Sequence, residues 1–409
     1  MRSYSSSKKK KRSDLASHQT RWIWIATSVA ALLLVGGWGL SFTPLRTYGK
    51  QLEATNGAFD GGLLYLQSDS HGPPKVVHRP RDSQGRLSLD VDQSSTLASP
   101  RIPAGCEALG MYAPPRGPWL AIDVTCEASG FVQVINVASG KAVDLDAHLS
   151  YDSTFVNWSP TGNEIILRAG NLPNSRIYLI QVNSGKYQQL PVPGNVYDIA
   201  LSTDGRRMIY SLTQGLGYGS ETWIADVDGQ NAQRVLLEPR HIIAFARWSP
   251  SGEAIAYIRM LDSNIPFTVG ELWVMGGDGQ NPILLGNADA GHGYRPAWSP
   301  DGQQIAFVVR ELVSDSTDIE SEVASYVAGQ LVSNIYLANL NNKSIISATK
   351  FNDALTETPV WSQEGDYLAF GSTAGGSGMD VWVLDTRNSQ LYQVTHGMKA
   401  RYPAWLSNP

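Results

Sequence analysis

Four histidines each precede one of the tryptophans that recur along the chain. They lie 10, 7, 6 and 9 residues before Trp158, Trp248, Trp298 and Trp405, and are in that order His148, His241, His292 and His396. Imidazole is a common ligand of divalent metals, so four such side chains around one opening would suit a metal ion. The uneven offsets are more typical of loop histidines that make local hydrogen bonds. The sequence therefore predicts no metal and no cofactor. The alternative is a divalent-metal site, for which these four histidines are the candidate ligands.

The two cysteines of the chain flank a predicted turn. Cys106 and Cys126 each lie 10 residues from Arg116. In an antiparallel hairpin they would face each other, and the Cα atoms of a non-hydrogen-bonded pair are about 4.5 Å apart, which a disulfide can span. We expect a disulfide, which is typical of exported domains, with two buried thiols as the alternative.

The sequence lacks motifs that would mark an enzyme. It contains no G-x-S-x-G nucleophile elbow, no phosphate-binding glycine loop and no Cys/His spacing typical of zinc sites. Gly376-Ser377-Gly378 is predicted to be a loop between strands. We therefore expect no catalytic residues and no enzymatic activity.

The strongest pattern is a repeat that occurs five times. Its copies read WSPTGNEIIL, LSTDGRRMIY, WSPSGEAIAY, WSPDGQQIAF and WSQEGDYLAF and begin at positions 158, 201, 248, 298 and 361. Each copy has Ser in its second position, Gly in its fifth and large apolar residues in its eighth and tenth. The repeat tryptophans are Trp158, Trp248, Trp298 and Trp361, and the glycines are Gly162, Gly205, Gly252, Gly302 and Gly365.

This repeat predicts a β-hairpin. The first strand ends at the Trp, Ser-Pro-x-Gly forms the turn with Gly supplying a positive φ, and the second strand follows with alternating apolar residues. A third strand with a central aromatic residue, a further turn and a short fourth strand complete one blade of a β-propeller. We expect the tryptophans to pack between blades and not to bind a ligand.

Two incomplete copies set the number of blades. Tyr112 matches the repeat with one extra turn residue, and Trp405 matches its first strand only. Gly61–Leu66, Lys75–Arg79 and Leu87–Val91 are predicted to supply the missing second, third and fourth strands. Spacings of 43 to 63 residues then predict an all-β, seven-bladed β-propeller closed by the C-terminal strand, with six or eight blades as alternatives.

A hydrophobic segment precedes the repeats. Residues 22–42 carry no charge, and at about 1.5 Å per residue a helix of this length spans roughly 30 Å, the thickness of a bilayer core. The basic run Lys8–Arg12 lies before it, which places the N-terminus in the cytoplasm and the remainder outside. A cleaved signal peptide would have a shorter apolar region and a small-residue cleavage site. The predicted division is a basic tail (1–21), a transmembrane signal anchor (22–42), a juxtamembrane linker (43–58) and the propeller (59–409).

The repeat resembles that of the TolB-like (WD40-like) propeller family. Trp298–Gly302 followed by Ile305–Phe307 reproduces its WSPDG and IAF signature, and the resemblance covers about 350 residues. It implies a fold and leaves the function open, because similar repeats occur in TolB, in prolyl-oligopeptidase-type peptidases and in oligogalacturonate lyases. The predicted anchor, the seven blades and the lack of an N-terminal α/β domain depart from TolB, so the partners of TolB are not carried over.

The largest repeat spacing marks an insertion. Glu311–Ser333 separates the second and third strands of the sixth blade and contains several acidic residues. Propeller geometry places it on the same face as the histidine loops. Long loops in compact domains are often functional, so this one is either a partner-contacting flap or a solvated loop.

These observations predict a non-catalytic binding or scaffolding module. Its net charge of −5 argues against nucleic acid as a partner. We expect a single-pass protein of the cell membrane whose periplasmic or extracellular propeller presents a face to another envelope protein or a surface polymer. The alternatives are a metal-dependent polysaccharide lyase resembling oligogalacturonate lyase, for which the loop histidines would have to converge, and a ligand sensor.

Overall fold

The computed structural model describes the propeller region of the chain. The described residues are 61–68, 73–89, 93–127, 129–145, 152–263, 269–289, 294–312, 331–376, 378–397 and 399–406. The predicted tail, transmembrane segment and linker lie outside these ranges. Within them, no helix is long and apolar enough to cross a membrane.

The described residues form 28 β-strands, which pair into seven four-stranded antiparallel sheets. In chain order the strands are β1 (Leu63–Gln67), β2 (Lys75–Arg79), β3 (Ser95–Ala98), β4 (Glu107–Tyr112), β5 (Trp119–Thr125), β6 (Gly130–Asn136), β7 (Lys141–Asp144), β8 (Ser153–Trp158), β9 (Glu164–Ala169), β10 (Arg176–Gln181), β11 (Tyr187–Gln189), β12 (Val196–Leu201), β13 (Arg207–Thr213), β14 (Ser220–Asp226), β15 (Gln233–Glu238), β16 (His241–Trp248), β17 (Ala254–Leu261), β18 (Val269–Gly276), β19 (Ile283–Asp289), β20 (Ala297–Trp298), β21 (Gln304–Leu312), β22 (Leu331–Asn339), β23 (Ile345–Ser347), β24 (Thr356–Trp361), β25 (Tyr367–Ser372), β26 (Asp380–Asp385), β27 (Gln390–Gln393) and β28 (Ala400–Trp405).

Each sheet is one blade of a propeller. Blades two to seven take four consecutive strands each, from β4–β7 to β24–β27, whereas blade one consists of β28, β1, β2 and β3 in that order. β28 pairs antiparallel with β1, so that Trp405 lies opposite Leu63 and Ala400 lies opposite Gln67. The predicted seven blades and their closure by the C-terminal strand are confirmed.

The fourth strand of blade one differs from the prediction. Leu87–Val91 was expected there, but the strand that pairs with β2 is Ser95–Ala98. Leu87 instead forms an isolated bridge with Arg81 and is buried between blades one and seven, where its N–H donates to the Tyr367 hydroxyl. The prediction of that strand was wrong because the apolar Leu87 is buried against blade seven, while the strand that pairs with β2 begins at Ser95.

The insertion in blade six is shorter than the sequence suggests. β21 and β22 continue outward to pair Leu312 with Leu331, so both ends of the predicted insertion belong to the hairpin. Residues 313–330 lie outside the described ranges.

Apolar packing between neighbouring blades forms the core. Within the described residues, seven clusters of buried side chains each join two adjacent blades. In β9, Ile165 and Leu167 pack against blade two, whereas Ile166 packs against blade four. Because side chains alternate across a strand, a central strand with both faces covered must be apolar at successive positions.

Four of the first-strand tryptophans tie their blade to the one before it. Their indole N–H groups donate to backbone carbonyls of the preceding first strand: Trp158 to Tyr112, Trp298 to Arg247, Trp361 to Ala297 and Trp405 to Val360, at 3.0 to 3.1 Å. Trp248 follows the blade in which Leu201 replaces the Trp, and it donates instead to Gly277 of its own blade at 3.1 Å. The tryptophans are therefore interblade core residues.

The turn after each Trp has the predicted geometry. In blade six, Gly302 N–H donates to the Ser299 carbonyl at 2.9 Å, and the Ser299 side chain accepts the N–H of Gln304 at 2.9 Å. The five repeat glycines have φ between 70° and 78°, a conformation that costs a residue with a Cβ atom free energy.

The two faces of the propeller follow from strand direction. We call the face that carries these Ser-x-x-Gly turns the turn face. The opposite face, which carries the loops between second and third strands and the connections between blades, is the loop face. Since β1 runs antiparallel to β28, Leu63 and Trp405 both lie at the turn face.

Cys106 and Cys126 form a disulfide in blade two. Their Cα atoms are 4.2 Å apart, next to the pair of Glu107 with Thr125 that ends the β4–β5 ladder at the loop face. This is the pairing that the hairpin spacing predicts.

Trp405 allows a test of ring closure. Trp405→Phe removes the bond to the Val360 carbonyl and should lower the free energy of unfolding by about 1 kcal/mol. Trp405→Ala also leaves a cavity between blades one and seven and should lower it by about 3–5 kcal/mol. Urea unfolding measures both. Tyr218→Ala is the control, because Tyr218 is 73% exposed; a loss as large as that of Trp405→Ala would contradict a sealing role for Trp405.

The disulfide predicts a redox-dependent stability. It closes a loop with a sequence separation of 20, for which the chain-entropy relation gives about 3 kcal/mol. Reduction with dithiothreitol should lower the urea midpoint accordingly. Cys106→Ala/Cys126→Ala should have the reduced midpoint with or without reductant, and identical midpoints for oxidised and reduced wild type would refute the stabilisation.

Candidate binding site in the central channel

The first strands of the blades line the central channel, and most of them contain a β-bulge. Their register against the second strands shifts in β4, β8, β12, β16, β24 and β28. A bulge inserts an unpaired residue and redirects nearby side chains, and bulges are frequent beside functional sites. Here the bulged segments bring charged and aromatic side chains together.

Arg295, just before β20 in blade six, is the centre of this group. Its guanidinium carbon lies 5.0 Å from the ring centroid of Tyr112, 5.4 Å from that of Phe155 and 5.8 Å from that of Phe245. Its Nη1 donates to the Val156 carbonyl at 3.0 Å. These partners belong to blades two, three and five, so Arg295 reaches across the channel.

The aromatic partners of Arg295 are held by one another and by the backbone. The rings of Tyr112 and Phe155 stack with centroids 4.1 Å apart and planes 8° from parallel. Tyr112 folds back over Gly110, where a Cβ atom would lie 2.2 Å from the Tyr112 hydroxyl. Gly110 therefore makes room for the ring that supports the guanidinium.

Phe245 adopts a strained backbone conformation in the bulge of β16. Its φ is 58°, which is unusual for an aromatic residue and costs roughly 1–3 kcal/mol. The carboxylate of Asp198 compensates by accepting its N–H, and it also accepts two hydrogen bonds from Arg247 at 2.9 Å. Burial alone would raise the pKa of Asp198, but Arg247, together with Arg295 and the Phe245 N–H, holds this pKa below its usual value.

Asp123 lies in β5, the second strand of blade two, and has no bidentate arginine partner. It is buried opposite Gly110 and accepts the N–H of Phe155. Burial raises the pKa of Asp123 to about 7, although the Phe155 N–H and the guanidiniums of Arg295 and Arg168 act to lower it. Asp123 therefore changes its charge near neutral pH.

Arg168 of β9 completes the charged group. Its Nη1 donates to the Tyr197 carbonyl at 3.4 Å, and it interacts electrostatically with Asp123 and Asp198. Burial lowers the pKa of both Arg168 and Arg295, but an arginine stays protonated in this range. We call Asp123, Arg168, Asp198, Arg247 and Arg295 the channel cluster. Its three guanidiniums exceed its carboxylates in charge, most strongly when Asp123 is protonated.

A second polar group lies where blades one and seven meet. Arg401 donates to Glu357 at 2.5 Å, and its guanidinium carbon lies 5.0 Å from the ring centroid of Tyr402. Tyr402 has a φ of 55° and donates its hydroxyl to the Ala108 carbonyl of blade two at 2.9 Å. Bulged residues thus connect the blades around the channel on this side as well.

The described histidines of the metal hypothesis lie apart in the ring. His241 begins β16 in blade five, where its Nδ1 lies 3.0 Å from Nη2 of Arg259 and 3.4 Å from Glu238. His396 is exposed between β27 and β28. In the described ranges, no group of three or more His, Cys, Asp or Glu side chains is placed to hold a metal ion. His148 and His292 lie outside those ranges.

Comparison with known proteins shows one short sequence match and several structures with the same fold. No protein-family profile matches the chain. A stretch of 38 residues is 53% identical to the Tol-Pal system protein TolB of Albidiferax ferrireducens, and this match spans 9% of the chain and 9% of that protein. The domain is a seven-bladed β-propeller, and over this short stretch it is similar to TolB.

Solved structures share the β-propeller fold. TolB from Acinetobacter baumannii aligns over 85% of this chain and 67% of its own, with 14% identity and a TM-score of 0.46. An oligogalacturonate lyase in complex with manganese aligns over 82% of this chain and 86% of its own, with 12% identity and a TM-score of 0.50. A prolyl endopeptidase aligns over 82% of this chain and 48% of its own, with 12% identity and a TM-score of 0.55. At these identities the alignments with the lyase and the endopeptidase establish the fold alone.

Sequence reasoning missed the channel cluster. A signal was available, since Asp123, Arg168 and Asp198 interrupt otherwise apolar strands, and charged residues are seldom buried without a partner. Arg295 gave no such signal, because it lies in an irregular segment before β20.

Asp123 predicts how stability depends on pH. Its pKa is raised in the folded state, so the folded protein binds this proton more tightly than the unfolded chain. The resulting stabilisation is complete below the unfolded-state value and is lost as the pH rises through about 7. Asp123→Asn should therefore raise the melting temperature relative to wild type at pH 8 and have little effect at pH 5. The control Asp278→Asn alters an exposed turn carboxylate, and an equal gain from it at pH 8 would contradict the assignment.

Proposed function

We propose that the TolB-like propeller is a non-catalytic binding module that is held outside the cytoplasm and takes a segment of another envelope protein at the loop-face mouth of its channel. The observation that carries the proposal is the convergence of Arg295 with three aromatic rings from other blades. Arginine and aromatic side chains are the residues most enriched at binding hot spots, where they are held rigidly in a desolvated setting.

The path of the chain supports an outward-facing channel mouth. The described chain begins and ends at the turn face, where Leu406 N–H donates to the Gly62 carbonyl at 3.3 Å. An anchor at residues 22–42 and a linker at 43–58 would then approach the ring from the turn face. In this arrangement the turn face lies toward the bilayer and the loop face points away from it, accessible to a partner.

The disulfide supports an exported location. Disulfides persist in oxidising compartments and are rare in the cytosol. Cys106 and Cys126 are the only cysteines of the chain, and both are used in the bond.

Protease protection tests the topology. In spheroplasts of a bacterial host that expresses the full chain, added trypsin should degrade the propeller and leave an N-terminal epitope tag protected. Permeabilised spheroplasts, in which the tag should also be lost, are the control. Protection of the propeller in intact spheroplasts would refute the proposed location.

Photo-crosslinking tests which face binds. A photoreactive amino acid at Leu109, which is 42% exposed in the bulge of β4, should yield a crosslinked envelope protein in intact cells. The same amino acid at Asn388, in the exposed turn between β26 and β27 on the turn face, is the matched control. The Leu109 adduct should be lost with Arg295→Gln. Adducts from Asn388 alone would contradict binding at the channel mouth.

A further inference from the structure

We infer that the channel mouth binds a carboxylate of an acidic polypeptide segment through Arg295, and that this binding is tighter at slightly acidic than at slightly alkaline pH. The inference rests on the proposed function and gives the partner a chemical class. It is argued from the charge, the hydrogen bonding and the apolar surroundings of the channel cluster.

The charge of the channel cluster favours an anion. Its three arginines face two carboxylates, and only Asp198 is fully ionised at neutral pH. Arg247 is neutralised by its bidentate pair with Asp198. Arg168 and Arg295 therefore retain positive charge in a desolvated setting, where uncompensated charge is costly and a bound anion is correspondingly favoured.

The hydrogen bonding of Arg295 directs that anion to the edge of its guanidinium. The rings of Tyr112, Phe155 and Phe245 surround it, and Nη1 donates to the Val156 carbonyl. These contacts fix the plane of the group while other N–H donors on its edge remain for a ligand. A fixed guanidinium edge matches the two oxygens of a carboxylate, which it can bind in a bidentate manner.

The surroundings of the cluster favour a polypeptide as the source of the carboxylate. Leu109 projects from the bulge of β4 with 42% of its surface exposed, although it lies in a first strand. Tyr402 donates its hydroxyl to the adjacent Ala108 carbonyl, which holds this part of the bulge in place. A peptide can pair a carboxylate with an apolar side chain that covers Leu109, whereas a uronic acid polymer carries no apolar side chain.

Asp123 supplies the dependence on pH. The groups that face it are the Phe155 N–H from β8, Arg168 from β9, Tyr112 from the end of β4, and Arg295 from the segment before β20. When Asp123 is ionised it competes with a ligand for the two arginines. When it is protonated that competition ends, so affinity for an anion rises as the pH falls from 8 to 6, where glutamate side chains in a ligand are still ionised.

Fluorescence anisotropy with the full chain in detergent tests this inference. The probe is an acetylated and amidated hexapeptide of alternating glutamate and leucine that carries an uncharged dye, and its matched control has glutamine in place of glutamate. Wild type should bind the glutamate probe about tenfold more tightly at pH 6 than at pH 8. Arg295→Gln should weaken binding by roughly 30-fold or more at pH 6. Arg387→Gln, on the turn face, should bind like wild type.

Asp123→Asn separates binding from folding. This variant should bind at pH 8 as tightly as wild type does at pH 6, a gain that misfolding cannot produce. Equal affinity for the glutamine probe, an unchanged affinity in Arg295→Gln, or displacement of the probe by hexagalacturonate at lower concentration than by unlabelled peptide would overturn the inference. If the Leu109 crosslink forms in cells but the glutamate probe does not bind, the proposed function stands and the carboxylate inference fails.

Discussion

The stability of the propeller depends on burying both apolar faces of every blade against the two neighbouring blades. A strand such as β9 sends Ile165 and Leu167 to one neighbour and Ile166 to the other, so neither face can be left to solvent. Blades two to seven obtain this cover from the blades beside them in the chain. Blade one obtains its first strand from the opposite end of the chain, and β28 places Trp405 against Tyr367 of blade seven. Ring closure is therefore a condition for burying the core.

The same packing brings the first strands close together at the centre. Side chains from bulges in different blades then share one small volume, and the consequences differ between two aspartates. Asp198 is held ionised by the bidentate contact with Arg247, whereas Asp123 interacts with Arg168 and Arg295 without such a contact. One carboxylate supports the strained backbone at Phe245, and the other changes its charge near neutral pH. The rigid propeller thus contains a channel cluster whose net charge depends on the protonation of Asp123.

The arrangement also separates stability from recognition. The first-strand tryptophans and the Ser-x-x-Gly turns lie at the turn face, and four of these tryptophans join their blade to the one before it, as Trp361 does through the Ala297 carbonyl. The connections between blades lie at the loop face, together with the exposed Leu109 in the bulge of β4. Arg295 contributes to both stability and recognition, because the aromatic rings that pack around its guanidinium belong to the first strands of other blades.

The sequence by itself determined the repeating unit, the number of blades, the closing strand and the partner of each cysteine, because these follow from periodicity and from residues close in the chain. It failed at β3, where Leu87 is buried against blade seven with its N–H donating to the Tyr367 hydroxyl, and Ser95–Ala98 supplies the fourth strand instead. It could not reveal the channel cluster. Arg295, Tyr112, Phe155 and Phe245 are far apart in sequence and meet only when the ring closes, and the pKa of Asp123 depends on the burial and the guanidiniums that this closure creates.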